Sequence, residues 1–311
     1  MVETRSGIPD GRGSIVPADW RFAVAALAAL GALVPGVAVA ADLPVPPALP
    51  PTAPAAYAPA APDWIVTVGL EGRVVPSWPG APDSKLIPSG FPLFSIRKQG
   101  TPPDFFGPRD SFGFSILDFG QLKFGPAIKI AGERKAWSDS NLYGLAGVHY
   151  ALQVGGFAEY WPISWLRLRG EVRQGFGGET GVTGDLFLDA VVPAGQFRFS
   201  AGPRMTVQSA AAVSPYFSIT TAESAATAVF GPPRGLAPLP AYSASGGLYS
   251  YGAGGQVEYF FSPQWSAHGF TEYERLTGSV ADSPLVTQRG SPDQLTFGLG
   301  ATYSFAMNPW W

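Results

Sequence analysis

The chain has 311 residues, of which 14% are charged and 13% aromatic, with 39 glycines and a net charge of −3. Soluble domains average roughly 25% charged residues, yet mean hydropathy is only +0.12 and a single segment is long and apolar enough to suggest a membrane helix, which excludes a polytopic helical membrane protein. The balance of charge offers no basic footprint for nucleic acid, and the absence of cysteine removes disulfides, thiolate metal sites and a cysteine nucleophile together.

Taken in chain order, Arg5, Arg12 and Arg21 precede the apolar run Phe22 to Val34, and Ala38-Val39-Ala40 follows as a small-residue cleavage site. This is the layout of a secretory signal peptide over residues 1–40, exported through the Sec pathway, with cleavage expected after Ala40. Pro35-Gly36 interrupts the run and disfavours an inner-membrane anchor. Asp42 to Pro62 is almost entirely Pro and Ala, with few amide donors for a ladder and little apolar bulk. Residues 41–63 therefore read as an extended periplasmic linker.

From Trp64 the pattern acquires period two, which in a strand sends successive side chains to opposite faces. Val66, Val68, Leu70 and Val74 alternate with Thr67, Gly69, Glu71 and Arg73. Leu166, Leu168 and Val172 alternate with Arg167, Arg169, Glu171 and Arg173. Leu186, Leu188 and Val192 oppose Asp185 and Asp189, and Phe197, Phe199 and Met205 oppose Arg198 and Arg204. The segments read as strands are Trp64 to Val74, Ile87 to Lys98, Phe105 to Leu117, Gln121 to Ala131, Gly147 to Tyr160, Trp165 to Gly175, Val182 to Val192, Phe197 to Val207, Leu248 to Phe261, Trp265 to Leu276 and Asp293 to Phe305.

Strands of about 9 to 13 residues match a tilted bilayer crossing better than the ~5 to 6 usual in soluble sheets. Aromatics at strand ends, in Trp161-Pro162-Ile163-Ser164-Trp165 and Phe261-Ser262-Pro263-Gln264-Trp265, suit an interfacial girdle. In lipid every backbone group needs a partner, so the sheet must close, and an even strand count is expected. Val213 to Ile219 is the candidate for the missing strand, leaving Thr220 to Gly247 as the largest extracellular loop, with a helical turn at Glu223 to Val229. The expected fold is all-β: a closed antiparallel transmembrane β-barrel of about 12 strands over residues 64–305, followed by a tail at 306–311. Either Phe305 or Trp311 could end the assembly signal; Phe305 is favoured because Asn308-Pro309 cannot continue the ladder.

Several segments together resemble the MipA/OmpV family of Gram-negative outer-membrane proteins (MltA-interacting protein-like). They are Gly155-Gly156-Phe157-Ala158-Glu159-Tyr160, Leu166 to Gly175, Pro215-Tyr216-Phe217-Ser218-Ile219, and Tyr273-Glu274-Arg275-Leu276 leading to Asp282-Ser283-Pro284-Leu285-Val286. Ser218 stands where the family usually has Gly, and Trp78-Pro79-Gly80 replaces its common Tyr-x-Gly-Ser. The resemblance implies an outer-membrane barrel surrounded by lipid and, from the family's name, a scaffold that contacts a periplasmic lytic transglycosylase or murein synthase. The alternative is a narrow porin-like channel.

No cofactor or metal site is indicated, because no carboxylate cluster with His has ligand spacing and no glycine pattern lies between a strand and a helix. His149 and His268 are the only neutral-pH bases, and parity puts both on the lumen face. Ser266-x-His268 is the nearest echo of a barrel lipid hydrolase, a remote alternative that points away from lipid. Arg167, Arg169, Glu171, Arg173, Asp185, Asp189, Arg198 and Arg204 are the candidate lumen-lining residues. They serve either as mutually neutralising wall pairs or as a selectivity lining. A turn at Pro193 to Gln196 would set Asp189 opposite Ser200 and Asp185 opposite Arg204; the loop at Phe176 to Gly181 would set Arg167 opposite Asp189.

Overall fold

Period-two alternation becomes one antiparallel sheet. The computed structural model describes residues 64–98 and 105–308, so the expected signal peptide and linker, and the final Trp310-Trp311, lie outside the described residues. Among the described residues there are eleven strands: β1 (Trp64–Pro76), β2 (Ser84–Lys98), β3 (Leu117–Asp118), β4 (Leu122–Ala131), β5 (Ala151–Ile163), β6 (Leu166–Gly177), β7 (Val182–Ala194), β8 (Phe197–Gln208), β9 (Gly247–Phe260), β10 (Trp265–Leu276) and β11 (Asp293–Met307). Sequence neighbours pair throughout except β2 and β3, β1 pairs in addition with β11, and the order runs β2-β1-β11-β10-β9-β8-β7-β6-β5-β4-β3. Its edges are β2 on one side and, on the other, two-residue β3 with β4 uncovered beyond it, and they flank one short stretch: Phe114 bridges Ile96 of β2 and Phe112 bridges Ile128 of β4. The sheet thus curls until its edges meet through Phe112–Phe114, without a continuous ladder between them.

One face is apolar and exposed, the other ionic and buried. Leu168 is 39% exposed while its neighbour Arg167 is 0% exposed. Glycine opens the inner face where large groups need room: a Cβ on Gly300 would lie 2.5 Å from His268 Cε1. Trp165, Phe261 and Trp265 stand exposed at the short-turn end, as a girdle requires. Trp161 departs from that expectation: it is 1% exposed and packs inside with Phe105 and Val191, because its parity is that of Glu159 and not of Tyr160. The ladder runs past Phe305 to Met307, which pairs with Trp64.

Two expected strands are not strands. Val213 to Ile219 lies mostly in helix α1 (Ala210–Phe217), since Ala212, Val213, Tyr216 and Phe217 form a buried stripe at helical spacing and the preceding alanines favour helix. Phe105 to Leu117 forms a ladder only at its end, in β3. Its first part turns onto the inner face, for reasons of chemistry given below. The β7–β8 register also differs. Ala194 pairs with Phe197 around Gly195, whose φ is 62°, so Asp185 faces Thr206 and Ser200 faces Val191. The turn is centred one residue later than expected, which shifts every partner by two.

At one end tight turns join β3–β4, β5–β6, β7–β8 and β9–β10; at the other, long loops after β4, β8 and β10 build a small folded layer. Helices α2 (Thr221–Phe230), α3 (Gly278–Ala281) and α4 (Pro284–Arg289) join α1 there. Val213, Phe217, Leu276, Val280 and Val286 form one apolar cluster, and Trp78, Leu142, Leu145, Ile219, Leu239 and Leu285 another. Arg289 donates to the carbonyls of Asn141 (3.0 Å) and Ala237 (2.7 Å), tying loops together.

Helix α2 begins with a capping box. Thr220 N donates to Glu223 Oε2 at 2.9 Å and Glu223 N donates to Thr220 Oγ1 at 3.2 Å. Burial pushes the Glu223 carboxyl up, but the backbone N–H groups of Thr220 and Ala146 outweigh it and hold it below the usual carboxylate range. A carboxyl held low in the fold stabilises fully above its ordinary pKa and loses that contribution as pH falls through the lowered value. Thr220→Ala is expected to cost about 1 kcal/mol and to quicken protease cleavage of Ser209–Gly246. Glu223→Gln should do so at neutral pH while removing the acid dependence, and unchanged cleavage in both variants would contradict the assignment.

Candidate functional site

The inner face carries a continuous set of ion pairs that begins on β6. Arg167 donates to Glu159 Oε2 at 2.9 Å, Asp189 Oδ2 at 3.1 Å and Asp110 Oδ2 at 2.6 Å. Arg169 lies over the Phe157 ring at 3.8 Å and pairs with Glu171 at 2.7 Å and Glu159 at 3.2 Å. Arg173 pairs with Glu171 and Asp185 and donates to Gln153 Oε1 at 3.1 Å. Arg204 reaches Asp189 at 2.6 Å and Glu272 at 3.5 Å above the Phe187 ring. Arg198, nearer the tight turns, pairs with Glu258. All eight charged residues singled out from the sequence thus lie on the inner face, and Arg167 opposes Asp189 in the ladder.

The other half of the network was not legible as such, because it comes from Phe105–Ser111. Phe105 lies beneath Arg167 at 5.2 Å. Pro108 O accepts from Arg73 at 3.0 Å. Arg109 pairs with Glu274 and donates to Thr206 Oγ1 at 3.2 Å. Asp110 takes Arg167, and Ser111 N donates to Glu171 Oε1 at 3.1 Å. These seven residues touch β1, β6, β8 and β10, so they lie across the inner face instead of beside it. Pro108 has no N–H for a ladder, and adjacent Arg109 and Asp110 both find inner partners, which a strand would forbid by sending them to opposite faces. Those two features were the available signal.

Ser266 and His268 take different partners. His268 Nε2 is 2.7 Å from Glu71 Oε2, whereas Ser266 Oγ donates to Glu258 at 2.6 Å. His149 is exposed in the loop before β5 and not on the inner face, since β5 starts only at Ala151 and the residues before it have left the ladder. Among the described residues no group of His, Asp and Glu could hold a metal ion.

A family profile described as MltA-interacting protein MipA matches residues 68–305. The chain belongs to the MipA family. A search of curated proteins gives no match. Among solved structures, this MipA-family chain is similar to an outer-membrane channel from Pseudomonas putida F1, at 12% identity over 82% of this chain and 100% of that one, with a TM-score of 0.39. It is similar to outer-membrane-expressed OmpT of Vibrio cholerae at 12% identity, over 78% of this chain and 97% of that one, with a TM-score of 0.33. It is also similar to OprG from Pseudomonas aeruginosa at 11% identity, over 79% and 97% of the two chains, with a TM-score of 0.25. In the MipA-family chain itself, each inner-face arginine named in this section has at least one carboxylate partner.

Proposed function

We propose that the chain is an outer-membrane β-barrel with a filled bore, acting as a structural or scaffolding element and not as an enzyme or an open pore. The observation that carries this is the path of Phe105–Ser111, which joins β1, β6, β8 and β10 through buried ion pairs. An apolar outer face ending in Trp165, Phe261 and Trp265 suits lipid and its interfaces, and tight turns at one end with long loops at the other suit periplasm and exterior. The family's description names interaction with MltA; a periplasmic lytic transglycosylase or murein synthase is the corresponding partner here, met at the tight-turn end. The separate partners of Ser266 and His268 support a non-catalytic reading.

Full-length protein in a planar bilayer is expected to show no steady single-channel current. Regular conductance steps would contradict the filled bore and favour a narrow porin-like channel, whose charged inner face would tune selectivity. For the scaffold role, pulldown from crosslinked envelopes should enrich murein hydrolases or synthases over an unrelated barrel; equal recovery would remove that part of the proposal.

A further inference from the structure

Among the described residues, β4 from Lys129 to Ala131, above the Phe112–Ile128 bridge, pairs only with β5, and β2 from Ser84 to Ser95, above its Ile96–Phe114 bridge, pairs only with β1. A cavity of about 820 Å³ opens there, within the ~300 to 1,000 Å³ typical of small-molecule sites. Its lining changes character from one side to the other. Ile130 and Leu152, on the outward parity of their strands, are 59% and 47% exposed. Phe94 and Phe112 meet at 5.2 Å between ring centroids and continue this apolar side. The inner side carries Arg73, Arg109 and Lys129 together with Asp110, Glu272 and Glu274. Arg109 is taken up by Glu274 and Glu272. Lys129 Nζ donates to the carbonyl of Arg109 at 3.0 Å, and among the described residues it has no carboxylate within ion-pair distance. An ammonium has three donors, and a charge withdrawn from water is costly unless paired.

We propose that this cavity is a side-entry site for a single-chain amphiphile with an anionic headgroup, drawn from the bilayer. Its tail lies along Phe94, Phe112, Ile130 and Leu152, and its headgroup oxygen accepts from Lys129 Nζ. The apolar side is open to where acyl chains already lie, and Lys129 is the cation placed at the point where that side meets the ionic interior. The proposal does not depend on whether the barrel conducts.

The native chain has no cysteine, so a bimane label can be placed in urea on Thr296→Cys, which lines the cavity, or on Ser304→Cys, which faces inward near the tight turns. Each full-length variant is refolded into phosphatidylcholine vesicles and titrated with dibromostearate, or with the brominated alcohol of the same chain length as a neutral probe. Saturable quenching by the acid is expected at position 296 but not at 304, and the alcohol should not saturate. Lys129→Gln, checked for folding by heat-modifiable mobility, should weaken the acid by about tenfold or more, as loss of a charge-assisted hydrogen bond implies. Ile130→Trp, which fills the apolar side from outside, should abolish saturation. The proposal fails if position 296 is not quenched, if 304 is quenched equally, if acid and alcohol behave alike, or if neither substitution changes the titration.

Discussion

Arg167→Ala is expected to destabilise the folded barrel by about 3–5 kcal/mol, the cost of removing one partner from a buried ionic group. Arg167 is fully buried and serves Glu159, Asp189 and Asp110 at once. Truncation leaves Glu159 with Arg169 alone and Asp189 with Arg204 alone, and takes from Asp110 its nearest cation, leaving Arg169 at 3.8 Å. Lysine should rescue little, because a single ammonium cannot reproduce the planar fork that reaches partners on β5, β7 and the Phe105–Ser111 segment. An exposed pair gives the contrast: Glu133 and Lys135 are 2.9 Å apart with Lys135 largely in solvent, so Glu133→Ala should have a far smaller effect than Arg167→Ala. Urea unfolding from lipid vesicles measures both. A loss at Arg167 no larger than that at Glu133 would mean that the inner face is wet and the ion pairs are replaceable by water.

Leu168→Arg should cost about 2–4 kcal/mol, the penalty for a cation on the lipid face near mid-membrane. Leu168 sits between Arg167 and Arg169 on β6, so the same side-chain type is required at both neighbours and forbidden between them. The penalty should diminish toward the strand ends, where Arg can snorkel to the interface. Phe197→Arg, one residue past the Gly195–Gln196 turn, is therefore expected to cost less than Leu168→Arg. Equal penalties at the two positions would argue that the apolar face is buried against protein and not against a bilayer of finite thickness.

Much of the sheet was readable because period-two alternation with ionic inner residues leaves each strand one acceptable orientation; Leu166 to Val172 and Leu186 to Val192 are the clearest cases. The Arg167–Asp189 pairing was readable for the same reason. Long-range fit decided what was missed. Val213, Pro215, Phe217 and Ile219 alternate well enough for a strand, yet Ala212 and Tyr216 complete a helical stripe that packs on Leu276, Val280 and Val286, and tertiary packing overrides a short local pattern. Phe105 to Leu117 alternates too, but its partners are charges from four distant strands. That Arg167 takes Asp110, far away in sequence, is visible only once the sheet has curled. The one-residue displacement of the Gly195 turn shows how hairpin registers depend on which residue adopts the left-handed conformation, a choice that Pro193-Ala194-Gly195-Gln196 leaves open between two centres.

The central claim is that one face of this sheet meets lipid while the other gathers its paired charges, and a pair of labels on adjacent residues tests it most directly. Leu168→Cys and Arg169→Cys, each labelled with bimane in urea and refolded into vesicles containing brominated phosphatidylcholine, report on opposite faces at the same depth. Strong quenching at position 168 and little at 169 is the predicted result. Equal quenching at both positions, or none at either, would contradict the account.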